Sequence, residues 1–424
     1  MSIKAWLSEN PLLEGGPFSN YLTHLMRYLH HHFFGKIRDV QVFKINGRGR
    51  GVDHSTEAMF VGSEDAAHQF AGLLYSNIEG VRPLGRSLFH QIDPKRLPNA
   101  EIIGVSTKGC FTARYLKEHF FLLPLVSFSL SLRPKIEQII QRASRRRRRD
   151  LKKLQQLGYS CTISRDCDSD FDFFYWKMYL PYTKKRFGKA ARLYSHPKLK
   201  AIYRRGGIVF VSREAQRRAG LLFKVDGRTV QVKSFGVFNG DQNYVADLVG
   251  QAALFFLIKW AKCRGLVRLD YGITMPFFKD GIFTYKREWG MHLDKYVEQP
   301  FCAIKLNCSS EATISLLQQN PFIFLDNESM TGAILLNHHP AKLELRQLVN
   351  KHYIPGLDAL LVIAYYRDSA DLLDQSDLVK MVEASTVEAM QPLSNITGSL
   401  KRLGYSVEVR EFRKTEGSWL DPGG

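Results

Sequence analysis

Gln251-Ala-Ala-Leu-Phe-Phe-Leu-Ile-Lys-Trp-Ala-Lys-Cys-Arg-Gly265, then Leu266-Val-Arg-Leu-Asp-Tyr-Gly272, then Phe278-Lys-Asp-Gly-Ile-Phe-Thr-Tyr-Lys-Arg-Glu-Trp-Gly290, is the stretch whose reading decides the fold. It reads as a helix stopped by Gly265, a short strand, and a charged aromatic loop. Upstream, Gly207-Ile-Val-Phe-Val-Ser212, Arg218-Ala-Gly-Leu-Leu-Phe-Lys-Val225 and Thr229-Val-Gln-Val-Lys-Ser-Phe-Gly-Val-Phe238 are β-rich and broken by Asp226-Gly and Asn239-Gly-Asp turns. That pattern predicts a meander of antiparallel strands. Tyr244-Val-Ala-Asp-Leu-Val249 is expected as one more strand, running into Gly250 and the helix from Gln251. A strand, a glycine and a helix N-terminus then meet at one point.

The charge of the chain is concentrated just before this region. The formal net charge is +19 over 424 residues. Residues 133–154 hold ten Lys or Arg against Glu137 and Asp150, and residues 177–205 hold ten more with no acid. What remains is 40 basic against 39 acidic residues, an ordinary balance. A field focused in this way favours a polyanionic partner: nucleic acid, a nucleotide-linked sugar, coenzyme A or an anionic membrane face. In the first segment Ile136, Ile139, Ile140, Ala143, Leu151 and Leu154 recur at helical steps, with Arg145, Arg148, Arg149 and Lys152 on the other side, and Gly158 ends the helix. Its arginines read as a solvated face, as a contact for phosphate or an acyl acceptor, or as an address or nucleic-acid arm. The second segment follows an aromatic helix, Phe171-Asp-Phe-Phe-Tyr-Trp-Lys-Met-Tyr-Leu180, that reaches Pro181. Its rings read as core residues carrying snorkelling cations, with base stacking as the alternative.

Three phrases, in this order, resemble the GNAT superfamily of acyltransferases in the branch related to the FemABX peptidyltransferases. They are Arg148-Arg149-Asp150-Leu151-Lys152-Lys153 on a helix closed by Gly158, Met178-Tyr-Leu-Pro-Tyr-Thr-Lys-Lys-Arg-Phe-Gly188, and Asp270-x-Gly272 followed by Asp280-Gly281 and Tyr285-Lys-x-x-Trp-Gly290. The resemblance covers roughly residues 120–300. It implies an α/β (α+β) fold, a GNAT-like mixed, mostly antiparallel sheet flanked by helices in one or two such units; the reversal of charge beyond residue 308 adds a small C-terminal α/β accessory domain. It also implies an N-acyltransferase that moves an acyl group from acyl-CoA, or an aminoacyl group from aminoacyl-tRNA, onto an amine of a cell-envelope precursor, a polysaccharide sugar or a small metabolite. The usual acetyl-CoA signature, Arg/Gln-x-x-Gly-x-Gly/Ala, is absent; Gly250-Gln251-Ala252 stands at its place, which leaves the donor open.

The chemistry asks little of the protein. An amine must lose a proton to attack a thioester or ester carbonyl, while the oxyanion and the phosphate-bearing carrier are stabilised. The candidate catalytic residues are Asp270, Asp280 and Glu288 as carboxylates and Lys286 as a cation. Each also has a structural reading: Asp270 as a loop cap, Glu288 as an ion-pair partner. The candidate carrier-binding residues are Arg145, Arg148, Arg149, Gly250, Gln251, Lys286 and Arg287. A helix N-terminus attracts phosphate through free N–H groups and the helix dipole. In the related family the lysine corresponding to Lys286 contacts the carrier phosphates.

Other classes are disfavoured. No Ser-His-Asp, Cys-His or P-loop arrangement is visible, and Gly47-Arg-Gly-Arg-Gly51 reads as a flexible turn. Six scattered cysteines without a CxxC pair predict reduced thiols, and His30-His-His32 on a helix would point three ways, so no metal is expected. The opening residues lack a signal-peptide pattern, and the apolar run from Phe120 is too short to span a bilayer, so a buried strand and a cytoplasmic protein are expected. The expected domains are 1–130, an α/β unit; 131–308, the acyltransferase core; and 309–424, an accessory domain with ten basic against fifteen acidic residues. The expected partners are a phosphate-bearing donor and an amine acceptor, with peripheral contact to an anionic membrane. The rival reading is a nucleic-acid-binding protein on an inactive scaffold of the same kind.

Overall fold

The computed structural model describes residues 39–49, 55–88, 102–106, 121–188, 191, 193–294, 302–306, 311–326, 329–336, 338, 342–352, 354–367 and 405–413. The histidine run, Cys110, Cys308, the segment Leu378 to Met390, which reads in sequence as a helix, and the last residues of the chain lie outside them. The chain divides into two units, one of Met1–Leu123, Gln299–Gln319 and Arg367–Ser406, the other of Pro124–Glu298, Asn320–Tyr366 and Val407–Gly424. Both are mixed α/β, with mostly antiparallel strands flanked by helices.

In the first unit β1 (Asp39–Arg48) pairs antiparallel with β2 (Thr56–Gly62) and with β3 (Asn77–Leu88), and β2 runs parallel to β4 (Ile102–Ser106). Between β2 and β3, helix α1 (Glu64–Leu74) starts at Ser63, whose hydroxyl accepts from Ala66 N. Its Ala67, Phe70, Ala71 and Leu74 are buried at helical spacing, and Phe70 meets Phe60 of β2 at 5.1 Å. In sequence Gln41-Val-Phe-Lys-Ile45, Ala58-Met-Phe-Val61 and Glu101-Ile-Ile-Gly-Val105 read as strands and Asp65 to Tyr75 as a helix, and these segments fall on β1, β2, β4 and α1. β5 (Phe121–Leu123) pairs with a later strand, β13 (Cys302–Leu306), which also pairs with β4. The apolar run from Phe120, expected as one strand, holds two, β5 and β6 (Val126–Ser131), parted at Pro124, which cannot donate to a ladder.

The second unit is built on a seven-stranded sheet. β6 joins β7 (Ser160–Ser164), β8 (Gly206–Arg213), β9 (Gln216–Asp226), β10 (Thr229–Val237), β11 (Arg268–Thr274) and β12 (His292–Asp294) in the order β12-β6-β11-β10-β9-β8-β7. The expected meander is β8-β9-β10, antiparallel throughout. The pair β10–β11 is parallel, because a helical crossover separates its strands. β8 is apolar without alternation, and the reason is that both faces are covered. Val209 and Val211 share a core with Leu254, Leu257, Ile258 and Ala261 of the crossover helix, whereas Ile208 and Phe210 pack with Phe171, Phe174, Met178, Leu199 and Tyr203.

The basic segment expected as one helix is two, α2 (Ile136–Arg142) and α3 (Arg145–Gln156). Ser144 restarts it, its Oγ accepting from Arg147 N. The aromatic helix continues through Pro181 as α4 (Asp168–Phe173), a π-helical turn at Phe174–Tyr179, and α5 (Leu180–Phe187). Pro181 has no N–H to give, and the widened turn, in which Leu180 N donates to Tyr175 O, absorbs the loss. β10 approaches this turn so closely that a Cβ on Gly236 would stand 2.5 Å from Tyr179 N. α6 (His196–Tyr203) follows. Residues 244–249, expected as a strand, instead contribute to α7 (Gln242–Ala246), capped by Asp241, and to the start of α8 (Val249–Cys263).

Residues beyond 308 are divided between the units: α10 (Glu311–Gln319) belongs to the first, whereas β14 (Phe322–Asp326), β15 (Ser329–Leu336) and α11 (Lys342–His352) belong to the second. β14 and β15 are antiparallel, and β15 runs parallel to β16 (Ala359–Arg367). β17 (Tyr405–Arg413) covers Ser406-Val-Glu-Val-Arg-Glu-Phe412, which reads in sequence as an amphipathic strand. Ile323, Met330, Ile334, Ile354, Leu357 and Leu360 share one core with β6, β11 and α8. Among the described residues no helix is long and apolar enough to cross a membrane.

Candidate active site

β10 and β11 pair at only three positions, ending at Gln231 opposite Asp270, although β10 runs on to Val237 and β11 to Thr274. Both strands are irregular past that point. β10 shifts register against β9 between Val232 and Ser234, and β11 inserts Tyr271 and Gly272 opposite a single residue of β6, Phe128. This is a bulge, and Gly272 serves it with φ +73°. Two side chains fix the bulge: Asp270 Oδ1 accepts from Gly272 N at 2.7 Å, and Lys286 Nζ donates to Gly272 O at 2.7 Å. The parallel pair thus opens as a fork at Asp270.

Lys286 comes from α9 (Gly281–Glu288), a helix where a loop was expected. Asp280 is its N-cap, accepting from Phe283 N at 2.8 Å and from the Thr274 hydroxyl at 3.2 Å. The Lys286 side chain is 1% exposed, with its ammonium over the rings of Phe128 (5.4 Å) and Tyr271 (5.7 Å). Burial pushes its pKa down to about 7, against the pull of Asp270 and Asp280. Lys286 therefore supports the fork from within, and does not stand at a surface where a phosphate would meet it. Burial, with help from Lys224, also lowers the pKa of Lys233, which lies past the fork on β10 and feels Asp270.

The neighbouring Tyr285 of α9 meets the Tyr271 ring in a tilted contact at 5.7 Å and donates to Gly250 O at 3.3 Å. Burial pushes Tyr285 up to about 12 and Tyr271 well above the usual phenol range, so both stay protonated. Arg147 of α3 lies over the Tyr285 ring at 4.7 Å and is 5% exposed. Its guanidinium donates to Glu288 at 2.7 Å and to Asp150 at 3.0 Å, while its Nε has no partner among the described residues. The Gln251 amide, turned so that both ends are satisfied, accepts from Arg147 Nη1 at 2.6 Å and donates to Leu248 O at 3.2 Å. Arg147 thereby ties α3, α8 and α9 together.

α8 begins without a side-chain cap. Leu248, at its N-cap, is in the left-handed region at φ +66°, a strained position for a branched residue with no oxygen to offer. Gly250 lies in the first turn, not at the end of a strand. A Cβ there would touch only the Phe235 ring, at 3.5 Å, so packing does not demand a glycine.

The structure brings together Asp270, Asp280, Lys286, Glu288, Gly250 and Gln251. It does not bring the other cationic candidates to them. Arg145, Arg148 and Arg149 are exposed on α3, with Arg148 donating to Gln141 O, and Arg287 donates to Lys351 O. In sequence Tyr271 and Tyr285 carry no role of their own, and Arg147 stands only as one of the run Arg145 to Arg149 that the nucleic-acid reading uses. A signal for Arg147 existed: it lies four residues after Ala143 and four before Leu151, on the apolar stripe. Among the described residues no group of side chains is placed to hold a metal.

No family model matches the chain, and no curated protein does. Among solved structures it is similar to FemX, at a TM-score of 0.34 and 12% identity over 66% of this chain and 90% of that one. It is similar also to L-PGS from Bacillus licheniformis, at 0.30 and 10% over 68% and 89%. A third is a GCN5-related N-acetyltransferase from Kribbella flavida, at 0.26 and 8% over 87% and 79%. Scores of this size mark distant, partial overlap.

Proposed function

We propose that the chain is an N-acyltransferase that takes an acyl or aminoacyl group from a phosphate-bearing carrier, an acyl-CoA or an aminoacyl-tRNA, and passes it to an amine. The observation that carries this reading is the fork of β10 and β11 beside the uncapped first turn of α8. Parallel strands that part while both continue turn main-chain N–H and C=O groups toward a gap, and an extended amide-bearing arm pairs with such groups as an added strand does. The phosphate end of the carrier suits the first turn of α8, where free amides and the helix dipole favour an anion and Gly250 leaves the approach open.

At the mouth of the fork Asp270 is the candidate base. One of its oxygens is engaged by Gly272 N, and the other is left for the incoming amine. The amine nitrogen bonds to the carbonyl carbon, its proton passes to Asp270, and the tetrahedral intermediate expels the carrier's sulfur or ribose oxygen, which takes up that proton. Lys286 positions Gly272, and Asp280 positions α9. Glu288 balances Arg147. The acceptor is an amine of a cell-envelope precursor, a polysaccharide sugar or a small metabolite, and the carriers place the reaction in the cytoplasm.

Native mass spectrometry with a panel of acyl-CoAs, charged tRNA and nucleotide-sugars identifies the donor. With it, Asp270→Asn is expected to lower turnover by about a hundredfold or more with donor binding retained, the size of a lost general base. Wild-type turnover in Asp270→Asn would remove Asp270 as the base. Failure of the wild type to bind any donor would remove the reading itself.

A further inference from the structure

The aromatic helix has one member that the core does not absorb. Phe171, Phe174, Tyr175, Met178 and Tyr179 are buried, but Trp176 is 54% exposed. Tyr194, 45% exposed, is tied to the same helix, and Leu193, 41% exposed, precedes it in the chain. Trp176 and the 193–194 segment are fixed by their surroundings: the Trp176 ring stacks on His196 at 5.8 Å, the Tyr175 hydroxyl donates to Tyr194 O, and Tyr194 N donates to the Tyr179 hydroxyl at 2.9 Å. His196 is itself fixed by Asp172 at 2.7 Å. Displaying large apolar side chains in a rigid setting is unusual for a surface that only meets water. Exposed lysines surround them. Lys177 follows Trp176, Lys198 holds its ammonium 4.5 Å over the Tyr194 ring, and residues 177–205 contain ten basic side chains and no acid.

We propose that Trp176, Leu193 and Tyr194, with Lys177 and Lys198, form a surface that docks on an anionic lipid bilayer. Tryptophan and tyrosine settle at the headgroup level, where an apolar body and a polar tip are both satisfied. A lysine close to an anionic leaflet adds about 1 kcal/mol, or about fivefold in partition. The basic and aromatic composition also suits single-stranded RNA, but the geometry does not. One face of Trp176 is taken by His196, the Tyr194 ring is covered by the Lys198 ammonium, and Leu193 has no ring to stack. Each ring keeps at most one face open, beside an aliphatic side chain, which suits the boundary between headgroups and acyl chains better than a run of stacked bases. This proposal is independent of the acyl-transfer reading.

Sedimentation of the full chain with vesicles of phosphatidylcholine alone, or of equal parts phosphatidylcholine and phosphatidylglycerol, tests it. Binding is expected to the anionic vesicles and to weaken with salt. Lys177→Gln with Lys198→Gln is expected to lower the partition coefficient at low salt by about tenfold or more, from two lysines. Trp176→Ser with Leu193→Ser is expected to lower it comparably, including at salt where the lysines are screened. Absence of binding to anionic vesicles overturns the proposal, and so does binding that neither pair of substitutions alters. Displacement of the chain from vesicles by a single-stranded RNA that loses affinity in the same variants would assign the surface to RNA instead. Circular dichroism checks that each variant is folded; if the serine pair is not, the glutamine pair and the shift of wild-type tryptophan fluorescence on anionic vesicles decide.

Discussion

Lys286 and Arg147 are two buried cations held by neighbouring elements, and they differ in what balances them. Arg147 has two carboxylates in hydrogen-bonding contact. Lys286 has one carbonyl, two ring faces and the more distant fields of Asp270 and Asp280, so burial wins and the ammonium is destabilised. Above about pH 7 the folded chain has released this proton, while the unfolded chain keeps it until near 10.5, the ordinary lysine value. The unfolded state binds more protons throughout that window, and folding stability rises as pH rises through it. Relative to Lys286→Met, the wild type should therefore gain stability on the order of 1 kcal/mol per pH unit between pH 7 and 10. Urea unfolding of both proteins at several pH values checks this, and parallel curves would show that the group does not titrate there. Arg147→Leu strands the largely buried Asp150 without its cation, leaves Glu288 only the exposed Arg146 at 3.7 Å, and should cost about 3–5 kcal/mol. Replacing Arg145, Arg148 and Arg149 together by glutamine should change stability little, because all three are exposed. The sequence displayed the arginine run but not its division into one buried anchor and several solvated neighbours. That division needed the apolar stripe to be followed through a charged residue, where hydrophobicity alone reads a gap.

At the scale of elements the chain was most legible where turns and burial agree. The meander β8-β9-β10 is bounded by glycine turns and covered on both faces, so propensity and packing point the same way. Legibility failed where short segments had to be settled by caps. Residues 242–246 carry β-favouring Tyr244 and Val245, but Asp241 Oδ1 accepts from Asn243 N and starts a helix. α9 was hidden in the same way: Asp280 caps it, Lys286 and Arg287 occupy its last turn, and Gly290 closes it at φ +68°. The loop reading followed the aromatic and glycine content and passed over those end signals. The fork could not be read at all, because it depends on register between strands far apart in sequence. Gly272 is its pivot, with space around it for a Cβ but a left-handed backbone. Gly272→Ala should therefore cost only about 1–2 kcal/mol in thermal or urea unfolding, the penalty of that conformation. If the fork receives the carrier, the same variant should raise the donor KM, since any relaxation of that strain shifts the carbonyl held by Lys286. An unaltered KM with the expected loss of stability would confine Gly272 to a structural part.

At the scale of the whole molecule the informative result is where residues 309–366 belong. The fall in charge beyond residue 308 suits an accessory domain, but charge patterning reports on surfaces and not on which core a strand completes. β14, β15, α11 and β16 bring Ile323, Met330, Ile334, Ile354, Leu357 and Leu360 into the core that also holds Phe128, Leu269, Phe283 and Trp289, the residues beneath the fork. Each is 3% exposed or less. Burying an aliphatic side chain of this size contributes about 1.5–3 kcal/mol, so six amount to on the order of 10 kcal/mol, comparable with the entire stability of a domain. Removal would also uncover Phe278, whose backbone N donates to Pro321 O and whose ring meets His352 at 5.3 Å. A chain ending at residue 308 should consequently lose cooperative unfolding and aggregate. A chain ending at residue 367, which keeps β16, should retain a cooperative transition even if weakened. Calorimetry of the two truncations separates the cases: a sharp transition and native circular dichroism in the shorter chain would show that residues 320–366 fold apart from the fork, and that the six side chains merely cover a core already complete without them.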